Sequence, residues 1–161
     1  MTRHIPQQST WVLALLIGLS TAWIACESSS HADASNALTH SAPTHRAEDV
    51  DVERFVALLA TLNDPILLDV RSDEEWAEGH LPNASYIPFE AEDFEAQLQA
   101  LDKNRSVLVY CAAGGRSSHA MGVLNQAGQA EVFNLLGGIR DWAADGQPVV
   151  HGDPHPIQSP N

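Results

Sequence analysis

Residues 106–118 read Ser106-Val107-Leu108-Val109-Tyr110-Cys111-Ala112-Ala113-Gly114-Gly115-Arg116-Ser117-Ser118. A short apolar run leads into a tight loop that begins with a thiol. The loop in turn leads into a helical stretch over 117–127, where Ala120, Val123, Leu124 and Ala127 face inward and Gly128 ends the helix. A helix leaves its first backbone N–H groups without partners and carries partial positive charge at that end, so an anion held there is stabilised. A thiolate is such an anion. Gly114 and Gly115 allow the compressed backbone angles that aim successive N–H groups inward, and Arg116 adds a permanent positive charge at the rim. An ordinary thiol has a pKa near ~8.5, and this setting lowers it. Cys111 is therefore read as a reactive thiol rather than a packed structural one.

The flanking sequence repeats the alternation. Asp51 can cap a helix over 52–61, in which Val52, Phe55, Val56, Leu58 and Leu59 approximate helical spacing before Asn63-Asp64-Pro65 stops it. Residues 66–70 form a continuous apolar run suited to a strand buried on both faces. Ser72 or Asp73 starts a brief helix ending near Gly79. Residues 84–87 are the next strand candidate, and Phe94, Leu98 and Leu101 share one face of a helix over 92–101. A further strand over 131–135 and a short helix over 139–144 complete the series. The expected class is α/β, with a central parallel sheet of about five strands, helices on both faces, and the ligand site at the carboxyl ends of the strands. Cys111 stands at such an end.

Four ordered motifs carry a resemblance to a known family. They are Leu67-Leu68-Asp69-Val70-Arg71, Glu78-Gly79-His80-Leu81-Pro82-Asn83-Ala84, Val109-Tyr110-Cys111-Ala112-Ala113-Gly114-Gly115-Arg116-Ser117, and Leu136-Gly137-Gly138-Ile139-Arg140-Asp141-Trp142. Over about 47–150 the chain resembles the single-domain rhodaneses, and it shows no internal repeat. The resemblance implies the three-layer rhodanese-like fold and sulfur transfer through a persulfide on Cys111, with no cofactor. The amides of Ala112, Ala113, Gly114, Gly115, Arg116 and Ser117 would surround the sulfur, and Arg116 would bind the oxyanion of the donor rather than merely pin the loop. Ser117 and Ser118 read first as a helix-cap pair and second as donors to the persulfide. Asp69 and Arg71 match the family's strand-end pair, which ties neighbouring loops together, and His80 reads as a packed, hydrogen-bonded residue of a turn.

Two rival functions stay open. Related folds use a cysteine loop ending in Arg as a phosphatase or arsenate reductase, but those loops place one more residue between Cys and Arg than the four found here. The other rival is a sulfur carrier or binding module that does not turn over free donor.

The termini carry different expectations. Arg3 followed by an apolar stretch over 11–25 has signal-peptide anatomy. Ala25-Cys26 then suggests cleavage before a lipidated Cys26, although Trp23 stands where such signals usually carry an aliphatic residue; the alternative is cleavage after Ala22. Residues 26–46 read as a flexible polar tether and 151–161 as a disordered tail. The expected location is the periplasmic side of a bacterial envelope, lipid-anchored at Cys26, or else soluble and exported. With two cysteines in the chain, lipidation of Cys26 would leave Cys111 a solitary thiol in an oxidising compartment.

A net charge of −13 argues against nucleic acid and anionic lipid surfaces as partners. The expected partners are a small sulfur-containing anion such as thiosulfate as donor, a thiol or cyanide as acceptor, and an exported redox or sulfur-relay protein. Membrane contact is expected only through the lipid anchor. Trp76, Tyr86, Phe89, Phe133 and Trp142 read as core or rim packing, and His119 as a surface residue near the entrance. The irregular spacing of His31, His40, His45, His151 and His155 argues against a metal site.

Overall fold

The computed structural model describes residues 45–157. The expected signal peptide, the expected lipidation site at Cys26 and all but the last two residues of the expected tether lie outside the described residues. Ten elements follow in order: β1 (Arg46–Val50), α1 (Val52–Thr61), β2 (Ile66–Asp69), α2 (Asp73–Ala77), β3 (Ser85–Tyr86), α3 (Phe94–Gln99), β4 (Val107–Tyr110), α4 (Gly115–Gln126), β5 (Glu131–Leu135) and α5 (Gly138–Ala144). The strands form one parallel sheet in the order β1-β5-β4-β2-β3. The α/β class, the parallel sheet of about five strands and the helices on both faces are as expected, although the alternation itself located only four of the strands.

Strand alternation builds two cores. Leu68, Val107 and Val109 point to one face, where Phe94 and Leu98 of α3 and Ala120 and Leu124 of α4 cover them. Leu67, Leu108 and Tyr110 point to the other, packing with Phe55 and Leu58 of α1 and Trp142 of α5. Every residue of β2 and β4 is buried, which explains why these strands read as unbroken apolar runs. Asp51 caps α1 by accepting from Arg54 N–H at 2.9 Å.

Two segments correct the sequence reading. The sequence reading places Arg46 in the tether and gives 47–50 no element; residues 46–50, Arg-Ala-Glu-Asp-Val, instead form the edge strand β1, paired in register from Arg46↔Glu131 to Val50↔Leu135. An edge strand with one covered face needs no apolar run, and only Val50 is buried. At the other end, 151–157 is more than a loose tail. Val150 and His80 exchange backbone hydrogen bonds of 2.8 Å, His155 N–H donates to Ala84 C=O at 2.8 Å, and Ile157 packs on the α3/α4 core. Trp76 Nε1–H donates to Gly152 C=O at 3.1 Å, and its ring stacks on His80 with centroids 3.7 Å apart.

The strand order places a switch point at the centre of the sheet. From β2 the chain moves outward to β3, whereas from β4 it moves the opposite way to β5, so the loops after β2 and β4 diverge and leave a crevice between them. The loop after β2 is fixed by a buried ion pair. Arg71 Nε and Nη2 donate to Asp69 at 2.6–3.0 Å, Arg71 N–H donates to Asp69 Oδ1 at 2.9 Å, and Nη2 also reaches Gly79 C=O at 2.7 Å. Replacing one partner would strand the other charge in the core. Asp69→Ala is expected to lower unfolding free energy by about 3–5 kcal/mol, measured by urea denaturation.

Candidate active site

The site forms where β4 ends. Cys111 follows the central strand and is 2 % exposed. Gly114 makes the reversal out of the loop at φ +97°, a backbone angle that side chains disfavour, and α4 starts at the next residue. The helix therefore begins two residues earlier than the serines suggested. Ser117 and Ser118 lie inside its first turn and do not cap it, and no side chain caps Gly114.

The sulfur receives what a cap would have received. Gly114 N–H donates to Cys111 Sγ at 3.1 Å, and the buried Ser117 Oγ–H lies 3.4 Å from it, shared with Gly114 C=O at 3.1 Å. Burial pushes the Cys111 thiol up. Hydrogen bonds from Ser117 Oγ–H and from the backbone N–H groups of Ser117, Ala113 and Gly114 outweigh it, and the net shift is downward. Of the loop residues named from sequence, Ala113, Gly114 and Ser117 are thus placed on the sulfur.

The loop is held from behind by α5. Its first N–H groups serve neighbouring carbonyls: Ile139 N–H donates to Cys111 C=O at 2.9 Å and Arg140 N–H to Ala112 C=O at 3.3 Å. This contact requires the glycine at 138, whose φ is +60° and whose Cα lies against the backbone of Cys111, Ala112 and Ala113. Asn134 of β5, buried, adds a long contact of 3.5 Å from Nδ2 to Gly114 C=O while bonding Asp49 at 2.7 Å.

Arg116 departs from the sequence reading. Its guanidinium does not stand free to receive an anion, because Nη1 and Nη2 donate to the two oxygens of Glu75 at 2.6 and 2.7 Å, with Glu90 a further 3.7 Å contact. Glu75 belongs to α2, where it closes a capping box with Ser72, accepting from Ser72 N–H at 3.0 Å. The hydrogen bonds from Arg116 hold the Glu75 carboxyl at about 2, well below its ordinary 4.5, against the opposing pull of burial. The pair spans the switch point and joins the loop after β2 to the loop after β4.

Glu75 was not singled out from sequence. The pattern Ser72-x-x-Glu75 signals a capping box, but no local pattern indicates a partner 41 residues away. His80 is buried and its ring nitrogens face the carbonyls of Leu81 and Gly152, in keeping with the packed reading. His119 is half exposed beside Glu95 and Phe89. Among the described residues, no group of three or more His, Cys, Asp or Glu side chains is arranged to hold a metal ion.

Comparison with known proteins agrees with this geometry. The model of the rhodanese-like domain matches residues 51–145. A protein of Allochromatium vinosum named sulfurtransferase is 36 % identical over 102 residues, covering 63 % of this chain and 94 % of the relative. The thiosulfate sulfurtransferase GlpE of Coxiella burnetii is 31 % identical over 86 residues, covering 53 % of this chain and 78 % of the relative. Among solved structures, a rhodanese-like domain protein from Staphylococcus aureus aligns with a TM-score of 0.56 at 27 % identity, covering 66 % of this chain and 99 % of that one.

A methyl group at position 138 would overlap the Cys111 carbonyl and lie 2.6 and 2.7 Å from Ala112 C and Ala113 N. Gly138→Ala is therefore expected to displace the loop and return the thiol toward its ordinary pKa. The pH dependence of Cys111 alkylation by iodoacetamide reads this as a midpoint higher than in the unmodified protein.

Proposed function

The chain belongs to the rhodanese-like domain family of sulfurtransferases, and on that premise we propose that Cys111 carries sulfane sulfur as a persulfide between a small donor and a thiophilic acceptor. The observation that carries the reading is the convergence of N–H groups and the Ser117 hydroxyl on a thiol whose pKa is lowered despite burial. With thiosulfate, the Cys111 thiolate attacks the outer sulfur, an Sγ–S bond forms, the donor S–S bond breaks, and sulfite leaves with the electron pair. The product Cys111–S–S⁻ is again an anion in the same cradle. Cyanide or a thiolate then attacks the outer sulfur, and Cys111 returns as thiolate.

The protein's part in both halves is to stabilise sulfur anions without water. The hydrogen bonds that lower the Cys111 pKa favour the thiolate, so the step assigns no separate general base. Thiosulfate as a donor is supported by the name of the Coxiella burnetii relative. The four-residue span between Cys111 and Arg116 supports sulfur over phosphate, since a phosphoryl group needs a wider ring of amides.

Intact-protein mass spectrometry after incubation with excess thiosulfate tests the proposal. The unmodified protein is expected to gain one sulfur atom and Cys111→Ser none; gain in both, or in neither, would count against it. Loading should persist to lower pH than it would for an ordinary thiol, because the Cys111 pKa is shifted downward.

Export and lipid anchoring at Cys26 belong to the same proposal, supported by the sequence over 1–26. Cys26→Ala is expected to shift the protein from the membrane to the soluble fraction of the cell envelope. Retention of the variant in the membrane fraction would remove the anchor from the proposal.

A further inference from the structure

Carboxylates crowd the cation that ends the sulfur loop. Arg116 is the fifth residue after Cys111 and the second residue of α4. Its charge is matched by the Glu75 carboxylate through two short hydrogen bonds, and Glu90 stands 3.7 Å from Nη1. Beside this pair opens a cleft lined by Ser72, Asp73, Glu74, Pro88, Glu90 and Ala91, which offers three carboxylates and no cation. With Cys111 ionised, the thiolate, Glu75 and Glu90 stand around the Arg116 guanidinium before any donor arrives, and Arg71, which also acts on Glu75, is matched by Asp69.

We propose that Glu75 is the specificity-determining residue of this site, and that by holding Arg116 it selects organic sulfane-sulfur donors of at most one negative charge over the dianion thiosulfate. The inference rests on the persulfide reading of Cys111 and specifies its substrate class. The two alternatives open to a dianion lead to the same discrimination. If the ion pair stays closed, the donor meets only backbone dipoles and a neutralised cation. If Arg116 swings out to meet the donor, it leaves the Glu75 carboxylate without its partner beside the incoming charge. An organic persulfide R–S–SH avoids both. Cys111 Sγ bonds to its terminal sulfur, the donor S–S bond breaks, R–S⁻ leaves with the electron pair, and the terminal proton passes to R–S⁻, giving R–SH and Cys111–S–S⁻.

The role of charge can be isolated with two donors of similar shape, thiosulfate and methanethiosulfonate. The second replaces one charged oxygen by a methyl group and releases methanesulfinate when the thiolate takes its outer sulfur. Glu75→Gln retains the capping box, since Gln serves at that position, and leaves Arg116 its full charge. The ratio of kcat/KM for thiosulfate to that for methanethiosulfonate is expected to rise about tenfold in the variant, the effect of one unit charge a few ångströms from the donor. Intrinsic donor reactivity cancels in that comparison.

A second readout needs no substitution. In the unmodified protein, raising ionic strength should accelerate loading by thiosulfate more than by methanethiosulfonate, because screening relieves repulsion of the dianion more. An unchanged donor ratio in Glu75→Gln, or equal salt dependence for the two donors, overturns the assignment of Glu75 while leaving persulfide transfer standing. Failure of both donors to load Cys111 in the unmodified protein overturns the persulfide reading and this inference with it.

Discussion

A negative sulfur excluded from water has to be balanced by fixed dipoles, and the architecture around β4 follows from that requirement. Cys111 is 2 % exposed, so solvent contributes little to stabilising its charge. The compensation comes from main-chain N–H groups, which cannot be moved without moving the fold. Gly114 turns the chain so that the first turn of α4 faces the sulfur, and α5 holds the loop by donating its first N–H groups to the loop carbonyls. Side chains contribute mainly through Ser117. The site is an arrangement of backbone, which explains how small residues such as Ala112, Ala113 and the paired glycines can build it.

Two Arg–carboxylate pairs flank the switch point, and their burial separates their tasks. Asp69 and Arg71 are almost wholly excluded from solvent and fasten the end of β2 to the Gly79 carbonyl. Glu75 and Arg116 keep about a quarter of their side-chain surface exposed. The inner pair acts as a structural fastener. The outer one joins the two loops at the switch point while remaining in reach of solvent.

The apolar strands, the tight loop opening on Cys111 and the strand-end pair were legible in the sequence because each is local: a run of Val and Leu, a Gly-Gly turn, an Asp two residues before an Arg. What escaped reading is held by distant partners. β1 has the composition of a polar linker and becomes a strand only because β5 offers it a main-chain ladder. Arg116 looks unpartnered until α2 brings Glu75 beside it. The serines after the loop have the form of caps, yet Gly114 starts the helix before them and the sulfur takes the acceptor's place. Residues 151–157 show no periodicity; Gly152 C=O meets the side chains of Trp76 and His80, His155 N–H bonds Ala84 C=O, and Ile157 alone packs on the core.

The pairing of β1 with β5 also affects how the molecule comes into being. Asp49 and Asn134 touch across 85 residues of chain, so the sheet edge cannot close until nearly the whole domain has left the ribosome. Contacts of such sequence separation form late, because the loop they close must first be ordered. The α5 segment that locks the cysteine loop comes later still in the chain than β5. Until then the Cys111 sulfur lacks the fixed N–H groups that lower its pKa in the folded domain. The cradle is complete only when the last helix docks, so the thiol's environment and the completion of folding arrive together.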